Sequence, residues 1–182
     1  MHVSSALLVI DMLNRYEHDD AGPLAESVAE AVPNIGRLLD RARELQSHVV
    51  YVNDNHGEWT AGRQALCDWA LDGSRPELVE PIIPHADVPV LVKARHSAFY
   101  ATQLDYYLHT HGINRVVLTG QVTEQCILYS ALDAYVRHFE VAVPSDAVAH
   151  IHRDLSDAAL RMMECNMHAV VGSTDQLIDT LA

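Results

Sequence analysis

The sequence has little cysteine, with Cys67, Cys126 and Cys165 the only three among its 182 residues. The count is odd, the spacing is wide, and no C-x-x-C pair occurs. A small disulfide-bonded domain carries an even, dense set of cysteines, and metal or redox motifs carry close pairs. The composition therefore predicts free thiols in a reducing compartment, and we expect the protein to be cytoplasmic.

Basic side chains and long apolar runs are also scarce. The chain has 12 Lys and Arg against 25 Asp and Glu, a formal net charge of −13. It shows no basic stripe that could neutralise phosphates, so no nucleic-acid partner is expected. No apolar run reaches the roughly 20 residues of a membrane span, so no membrane partner is expected either. The first five residues, MHVSS, lack the basic and apolar regions of a signal peptide.

The sequence does contain six short, nearly continuous apolar runs, at residues 6–10, 49–52, 88–92, 115–118, 141–143 and 169–171. Such runs are typical of strands that are buried on both faces of a parallel sheet. Segments with helical spacing lie between them, at residues 24–45, 104–111, 127–136 and 155–165. This alternation predicts one doubly wound α/β domain over residues 1–182.

The segment 57–85 interrupts the alternation. It contains both tryptophans, Trp59 and Trp69, together with three prolines. Long connections in compact domains are commonly lids or interfaces. The alternative is a structural insertion with a short helix at residues 63–71, and the sequence leaves both interpretations open.

Two charged residues directly follow predicted strands. Asp11 comes after the first apolar run and Lys93 after the third. Ligands in doubly wound folds bind beyond the carboxyl ends of the strands, where these two side chains would lie. The ordinary interpretations are a turn former for Asp11 and a solvated charge at the strand end for Lys93. A functional role is indicated only if the two side chains pair at the same edge of the sheet.

The segment 119–126 follows the fourth run and opens a helix. Thr123 is a candidate N-cap, which places Cys126 in the first turn, where the helix dipole favours a thiolate. The free N–H groups of that turn could also hold an oxyanion. Together the residues suggest a nucleophile, Cys126, a base, Asp11, and a cation, Lys93, that lowers the pKa of both. The alternative is a cysteine that is simply buried.

Five segments, taken in order, resemble isochorismatase-like hydrolases over almost the whole chain. They are ALLVIDM at residues 6–12, YVNDN at 51–55, KARHSAF at 93–99, GQVTEQC at 120–126 and SDAV at 145–148. The resemblance implies a Rossmann-like fold with a six-stranded parallel sheet in the order 3-2-1-4-5-6. In that order strand three does not neighbour strand one, so Lys93 must reach Asp11 from beyond its strand end.

The resemblance also implies an amidohydrolase of small amides or carbamoyl compounds. Cys126 would attack the carbonyl carbon with Asp11 as base and Lys93 assisting, giving a thioester that water hydrolyses. The Gln121–Val122 peptide bond would be cis and would aim the N–H groups of Val122 and Cys126 at the oxyanion. No cofactor is expected, the partner is a small-molecule substrate, and relatives suggest a homo-oligomer, a dimer or a tetramer.

Some positions depart from the family pattern or leave alternatives open. Nicotinamidases carry a metal site with an Asp-x-His motif, which Asp54 and His56 resemble, but no histidine occurs between His56 and His85. A metal-assisted amidase therefore remains the alternative function, and a non-catalytic ligand-binding relative is a third. Cys126 argues against the vinyl-ether chemistry of true isochorismatases, which typically lack this cysteine.

Aromatic residues raise a separate expectation about the substrate pocket. Tyr16, Trp59 and Tyr100 fall where relatives place pocket aromatics; the alternative for each is core or interface packing. At position 96 the family ordinarily has an aromatic residue, and here it is His96. His96 could touch substrate or be a tolerated surface variant.

Overall fold

The computed structural model describes residues 4–182. The first three residues of the N-terminal segment MHVSS, from which no signal peptide was predicted, therefore lie outside the described residues. Within the described part of the chain, the sheet has seven strands, and every pairing between them is parallel. They are β1 (Ser5–Ile10), β2 (His48–Asp54), β3 (Val90–Lys93), β4 (Arg115–Gln121), β5 (Glu140–Pro144), β6 (Val148–Ala149) and β7 (Val170–Gly172).

The strand order is β3-β2-β1-β4-β5-β7, with β6 pairing to β4 outside this path. The doubly wound parallel α/β prediction is confirmed, with one small correction to the strand count. The extra strand exists because β4 pairs with β5 only as far as Val117 and then with β6 from Gly120 onward. The last strand in the expected order 3-2-1-4-5-6 therefore corresponds to β7.

Six helices cover the two faces of the sheet: α1 (Ala21–Leu45), α2 (Arg63–Leu71), α3 (Leu104–Thr110), α4 (Leu128–Val136), α5 (Arg153–Met167) and α6 (Thr174–Leu177). Leu7 and Val9 of β1 pack in the core on the side of α1, α2 and α6. Leu8 and Ile10 pack in the core on the side of α3, α4 and α5. A continuous apolar run is needed because both faces of the strand are buried. No helix within residues 4–182 has the length and apolar character to span a bilayer.

The segment between β2 and β3 packs against the core. Its helix α2 has the predicted bounds, and two short 3-10 turns follow at Pro76–Leu78 and Glu80–Ile82. Leu66, Leu78 and Ile82 from this segment are buried in the same core as α1. This packing favours the structural-insertion interpretation of the segment.

The sheet brings four strand ends to one edge. Asp54 at the end of β2 lies in register with Lys93 at the end of β3, and Ile10 at the end of β1 lies in register with Gly120 of β4. Gly120 has φ +109°, and a Cβ at this position would lie 2.1 Å from the Ile10 carbonyl oxygen. Only glycine lets the two strands approach this closely beside the site.

Candidate active site

Lys93 reaches Asp11 across the end of β2. Its Nζ lies 2.8 Å from Asp11 Oδ2 and 3.8 Å from Asp54 Oδ2. Lys93 is 2% exposed, so its charge is compensated by these carboxylates and not by water. The other Asp11 oxygen, Oδ1, accepts a hydrogen bond from the Asp54 backbone N–H at 2.7 Å. The strand order that separates β3 from β1 therefore does not keep the two side chains apart.

Cys126 completes the cluster. Its Sγ lies 3.6 Å from Lys93 Nζ, and the residue lines the same cavity as Asp11. The residue is 8% exposed. The structure thus brings Asp11 and Cys126 to the same ammonium, that of Lys93, at the carboxyl edge of the sheet.

The cluster carries one fixed cation and a protonated thiol. Burial raises the pKa of Cys126, the Asp11 carboxylate raises it further, and Lys93 offsets only part of this. Burial lowers the pKa of Lys93, but Asp11, Cys126 and Asp54 outweigh it and the net shift is upward. At rest the Cys126 thiol is therefore protonated, because desolvation of the anion outweighs the effect of the nearby ammonium.

The turn that carries Cys126 also differs from the prediction. Residues Thr123–Ile127 form a π-helical turn before α4, and Val122 holds the N-cap position with extended backbone. Thr123 is not the N-cap, since its Oγ1 donates a hydrogen bond to the Ala149 carbonyl at 2.9 Å. Pairing to β6 uses the threonine hydroxyl for a tertiary contact that the sequence pattern does not reveal.

The peptide bond between Gln121 and Val122 is cis. The Gln121 side chain donates from Nε2 to the Asp11 carbonyl at 2.6 Å, which ties the end of β4 to the end of β1. Val122 and Cys126 both line a cavity of 270 Å³. That volume is below the range of about 300–1,000 Å³ of pockets for drug-sized ligands, so the cavity suits a small molecule.

The cavity lining draws on loops that follow four strands and on the start of two helical segments. Its members are Asp11, Asn14, His18, Asp20, Leu24, Asp54, His56, Lys93, Gln121, Val122, Gln125, Cys126 and Ile151. A larger cavity of 570 Å³ lies beside the start of β2, between His48, Tyr107 and Pro89. It is at the opposite end of the strand from the catalytic candidates, so the smaller cavity is the one that bears on chemistry.

The three aromatic pocket candidates lie outside this lining. Tyr16 is buried, and its hydroxyl lies 3.4 Å from Gln121 Oε1, so it contacts a residue that lines the cavity. Trp59 is 81% exposed and Tyr100 is 59% exposed. Both project into solvent from loop positions, and neither is among the residues that line this cavity.

Asp54 and His56 do not converge as metal ligands. Asp54 Oδ1 accepts from the His56 backbone N–H at 2.8 Å, while its Oδ2 faces Lys93. His56 Nε2 lies 3.0 Å from the Leu13 carbonyl, and its ring stacks on Trp69 at 4.4 Å between centroids. Within residues 4–182 no group of three or more His, Cys, Asp or Glu gathers as a ligand set. The donor set does not fit a metal ion.

Several cavity residues have no signal in the sequence patterns. Asn14, His18 and Asp20 come from the loop between β1 and α1. The rule that ligands bind beyond strand ends could have indicated this loop. The sequence leaves the role of His96 open, and the structure places its Nδ1 3.8 Å from Cys126 Sγ, with its ring beside Tyr129.

The chain matches the family model described as the isochorismatase domain over residues 5–176. This protein belongs to the isochorismatase family. The family protein YaaI of Bacillus subtilis is 31% identical to it, over 96% of each chain. Maleamate amidohydrolase of Pseudomonas putida is 32% identical, over 94% of this chain and 84% of that enzyme. The solved structure of N-carbamoylsarcosine amidase from Thermoplasma acidophilum superposes with a TM-score of 0.75 at 29% identity, covering 95% of this chain and 98% of that one.

Family membership confirms the resemblance drawn from the five sequence segments. Those segments are spread along the chain, and the match extends over both halves of the sheet. The cluster of Asp11, Lys93 and Cys126 therefore belongs to an isochorismatase domain.

Proposed function

We propose that this member of the isochorismatase family is a cysteine-dependent amidohydrolase of a small amide or carbamoyl compound. Its relatives include a maleamate amidohydrolase and an N-carbamoylsarcosine amidase, which supports a hydrolase of carbon–nitrogen bonds other than peptide bonds. The observation that carries the proposal is the contact of Lys93 with both Asp11 and Cys126 beside the cavity.

The first step is attack by Cys126 on the substrate carbonyl carbon. The resting thiol is protonated, so the attack needs a base. Asp11 takes the thiol proton as the sulfur–carbon bond forms, and the carbonyl π electrons move to oxygen. The backbone N–H groups of Val122 and Cys126 stabilise that oxyanion. Lys93 keeps a positive charge beside the cluster throughout, which favours the ionised forms of both partners.

The second step releases the amine and restores the thiol. The oxyanion collapses, the carbon–nitrogen bond breaks, and the Asp11 carboxylic acid gives its proton to the leaving nitrogen. Asp11 then takes a proton from water, whose oxygen attacks the thioester carbon. The carbon–sulfur bond breaks, Cys126 regains a proton, and the acid product leaves. That proton comes from Asp11, which thus acts as base, acid, base and acid in turn, with no net change in the enzyme.

The two alternative functions have less support. A metal-assisted amidase needs ligands, and His56 is directed to the Leu13 carbonyl rather than toward Asp54. A non-catalytic relative has no need for a buried cation that contacts both a carboxylate and a thiol, and burying these groups carries a desolvation cost. The geometry therefore favours the cysteine amidohydrolase.

The test is ammonia release from a panel of small primary amides and carbamoyl compounds. Cys126→Ala is compared with wild type, and Cys165→Ala serves as the matched control because Cys165 is exposed and outside the cavity lining. We expect turnover in wild type and in the control, and none in Cys126→Ala with its fold intact. Equal turnover in all three proteins would refute the nucleophile and return weight to the metal-assisted alternative.

A further inference from the structure

The cavity lining has an excess of negative charge. Three carboxylates, Asp11, Asp20 and Asp54, line it together with a single cation, Lys93. With the lining histidines, His18 and His56, counted as neutral, the formal charge of the lining is about −2. A substrate that enters this cavity therefore meets more negative than positive charge.

Lys93 is not free to bind a substrate anion. Its ammonium lies 2.8 Å from Asp11 and 3.8 Å from Asp54, and it also donates toward Cys126 Sγ. Its side chain is only 1% exposed. An incoming carboxylate would have to displace one of the protein's own carboxylates, which would leave a charge unpaired in a buried place.

No arginine compensates within the described lining. The nearest one along the β1–α1 loop is Arg15, whose guanidinium is held by Glu17 at 2.8 Å and Asp72 at 3.3 Å. Bidentate recognition of a substrate carboxylate ordinarily depends on an arginine fork. That element is missing from the residues that line this cavity.

Asp20 places a carboxylate at the N-terminus of α1, a position that would otherwise attract a substrate anion. It holds the N-cap position of α1, and its side chain makes no capping hydrogen bond. A helix N-terminus carries a partial positive charge that attracts anions. The uncommitted Asp20 carboxylate offsets that charge, while Asp54 adds a second carboxylate whose side chain is 34% exposed.

We infer that the active-site cavity selects neutral or cationic small amides and rejects amides that carry a carboxylate. This inference rests on the proposed function in taking the substrate to be an amide. Maleamate and N-carbamoylsarcosine, named for two relatives, both carry a carboxylate, so the selection separates this chain from them. Asp20 and Asp54 are the specificity-determining residues.

The test uses two thiol reagents of matched size and reaction type, neutral iodoacetamide and anionic iodoacetate. Their alkylation rates at Cys126 are measured at pH 8 by peptide mass spectrometry. The ratio of the iodoacetamide rate to the iodoacetate rate at Cys126 is then divided by the same ratio for free 2-mercaptoethanol. We expect this quotient to favour iodoacetamide by about tenfold or more, because the lining carries a net formal charge of about −2 that repels the anionic reagent. Asp20→Asn reduces the preference about threefold, while the matched control Asp19→Asn, whose residue is outside the lining, leaves it unchanged.

A preference for iodoacetamide over iodoacetate at Cys126 no greater than that of 2-mercaptoethanol would overturn the inference. An Asp20→Asn variant with the same preference as wild type would overturn it too. The labelling does not require turnover, so failure of the proposed function appears separately, as a lack of ammonia release. Maleamide against maleamate provides the second comparison, because the two differ mainly in charge. Faster Cys126-dependent hydrolysis of maleamate would also overturn the inference.

Discussion

Replacing Lys93 with methionine is the sharpest perturbation of the site. Methionine keeps much of the apolar stem and removes the ammonium, which leaves Asp11 and Asp54 close together with no cation between them. The Lys93 side chain is 1% exposed and that of Asp11 is 10% exposed, so water can do little to replace the lost charge. The perturbation therefore tests whether the ion pair is structural as well as catalytic.

The structure sets the expected size of the effect. Removing one partner of a buried ion pair typically costs about 3–5 kcal/mol. We expect Lys93→Met to lose about 3 kcal/mol or more of unfolding free energy, measured by urea unfolding at pH 7, together with all amidase activity. The control is Arg43→Met, which breaks an exposed pair with Asp40 and should change stability by less than about 1 kcal/mol.

A double variant separates the pair from other effects of the substitution. Asp11→Asn combined with Lys93→Met removes both charges, so we expect it to be more stable than Lys93→Met alone. A Lys93→Met protein within about 1 kcal/mol of wild type would refute the buried-pair argument. A double variant less stable than the single one would show that the loss arises from packing rather than from charge.

Three further outcomes follow from the geometry. Asp11→Asn removes the proposed base and should lower kcat by about 10²–10⁴-fold in the ammonia-release assay; a tenfold change or less would contradict that role. The folded-state pKa of Cys126 is raised, so its contribution to stability is present below the unfolded thiol pKa, near 8.5, and is lost as pH rises above it. Wild type should therefore lose stability more steeply than Cys126→Ala between pH 9 and 10 in urea unfolding, by roughly 1 kcal/mol per pH unit, and parallel curves would contradict this. Gly120→Ala should destabilise by about 3 kcal/mol or more, because its Cβ meets the Ile10 carbonyl, whereas Gly36→Ala inside α1 has open space and should stabilise by about 0.5–1 kcal/mol; similar melting temperatures for both would contradict the close approach.

Much of the fold could be predicted from the sequence because buried parallel strands leave a strong local signal. The six apolar runs all correspond to strands, and the helix at residues 63–71 has the bounds that were expected. The two-residue strand β6 could not be predicted, since it is too short to carry a pattern. It exists only because β4 extends past β5 and pairs with Val148 and Ala149.

The candidate site was less predictable wherever a side chain depends on distant neighbours. Asp11, Lys93 and Cys126 follow from strand ends, but the raised thiol pKa follows from burial that no local pattern encodes. Thr123 resembles an N-cap in the sequence, yet its hydroxyl bonds to Ala149, 26 residues away. Trp59 was expected in the pocket by position and is solvent-exposed.

The acidic lining of the cavity also could not be predicted from local sequence patterns. Asp20 is far from Cys126 along the chain, and only the folded chain shows that both line one cavity. The net charge of the whole chain does not reveal this, because a bulk charge says nothing about which side chains face a substrate.

The central claim is that Cys126 forms a covalent thioester with the substrate acyl group. The most direct measurement is acid quenching during turnover of an amide that the enzyme hydrolyses, followed by intact-mass and peptide mass spectrometry. We expect an adduct with the mass of the acyl group on the peptide that contains Cys126, and we expect the adduct to disappear when hydroxylamine is added. Sustained turnover with no adduct on Cys126, or an adduct on another residue, would contradict it.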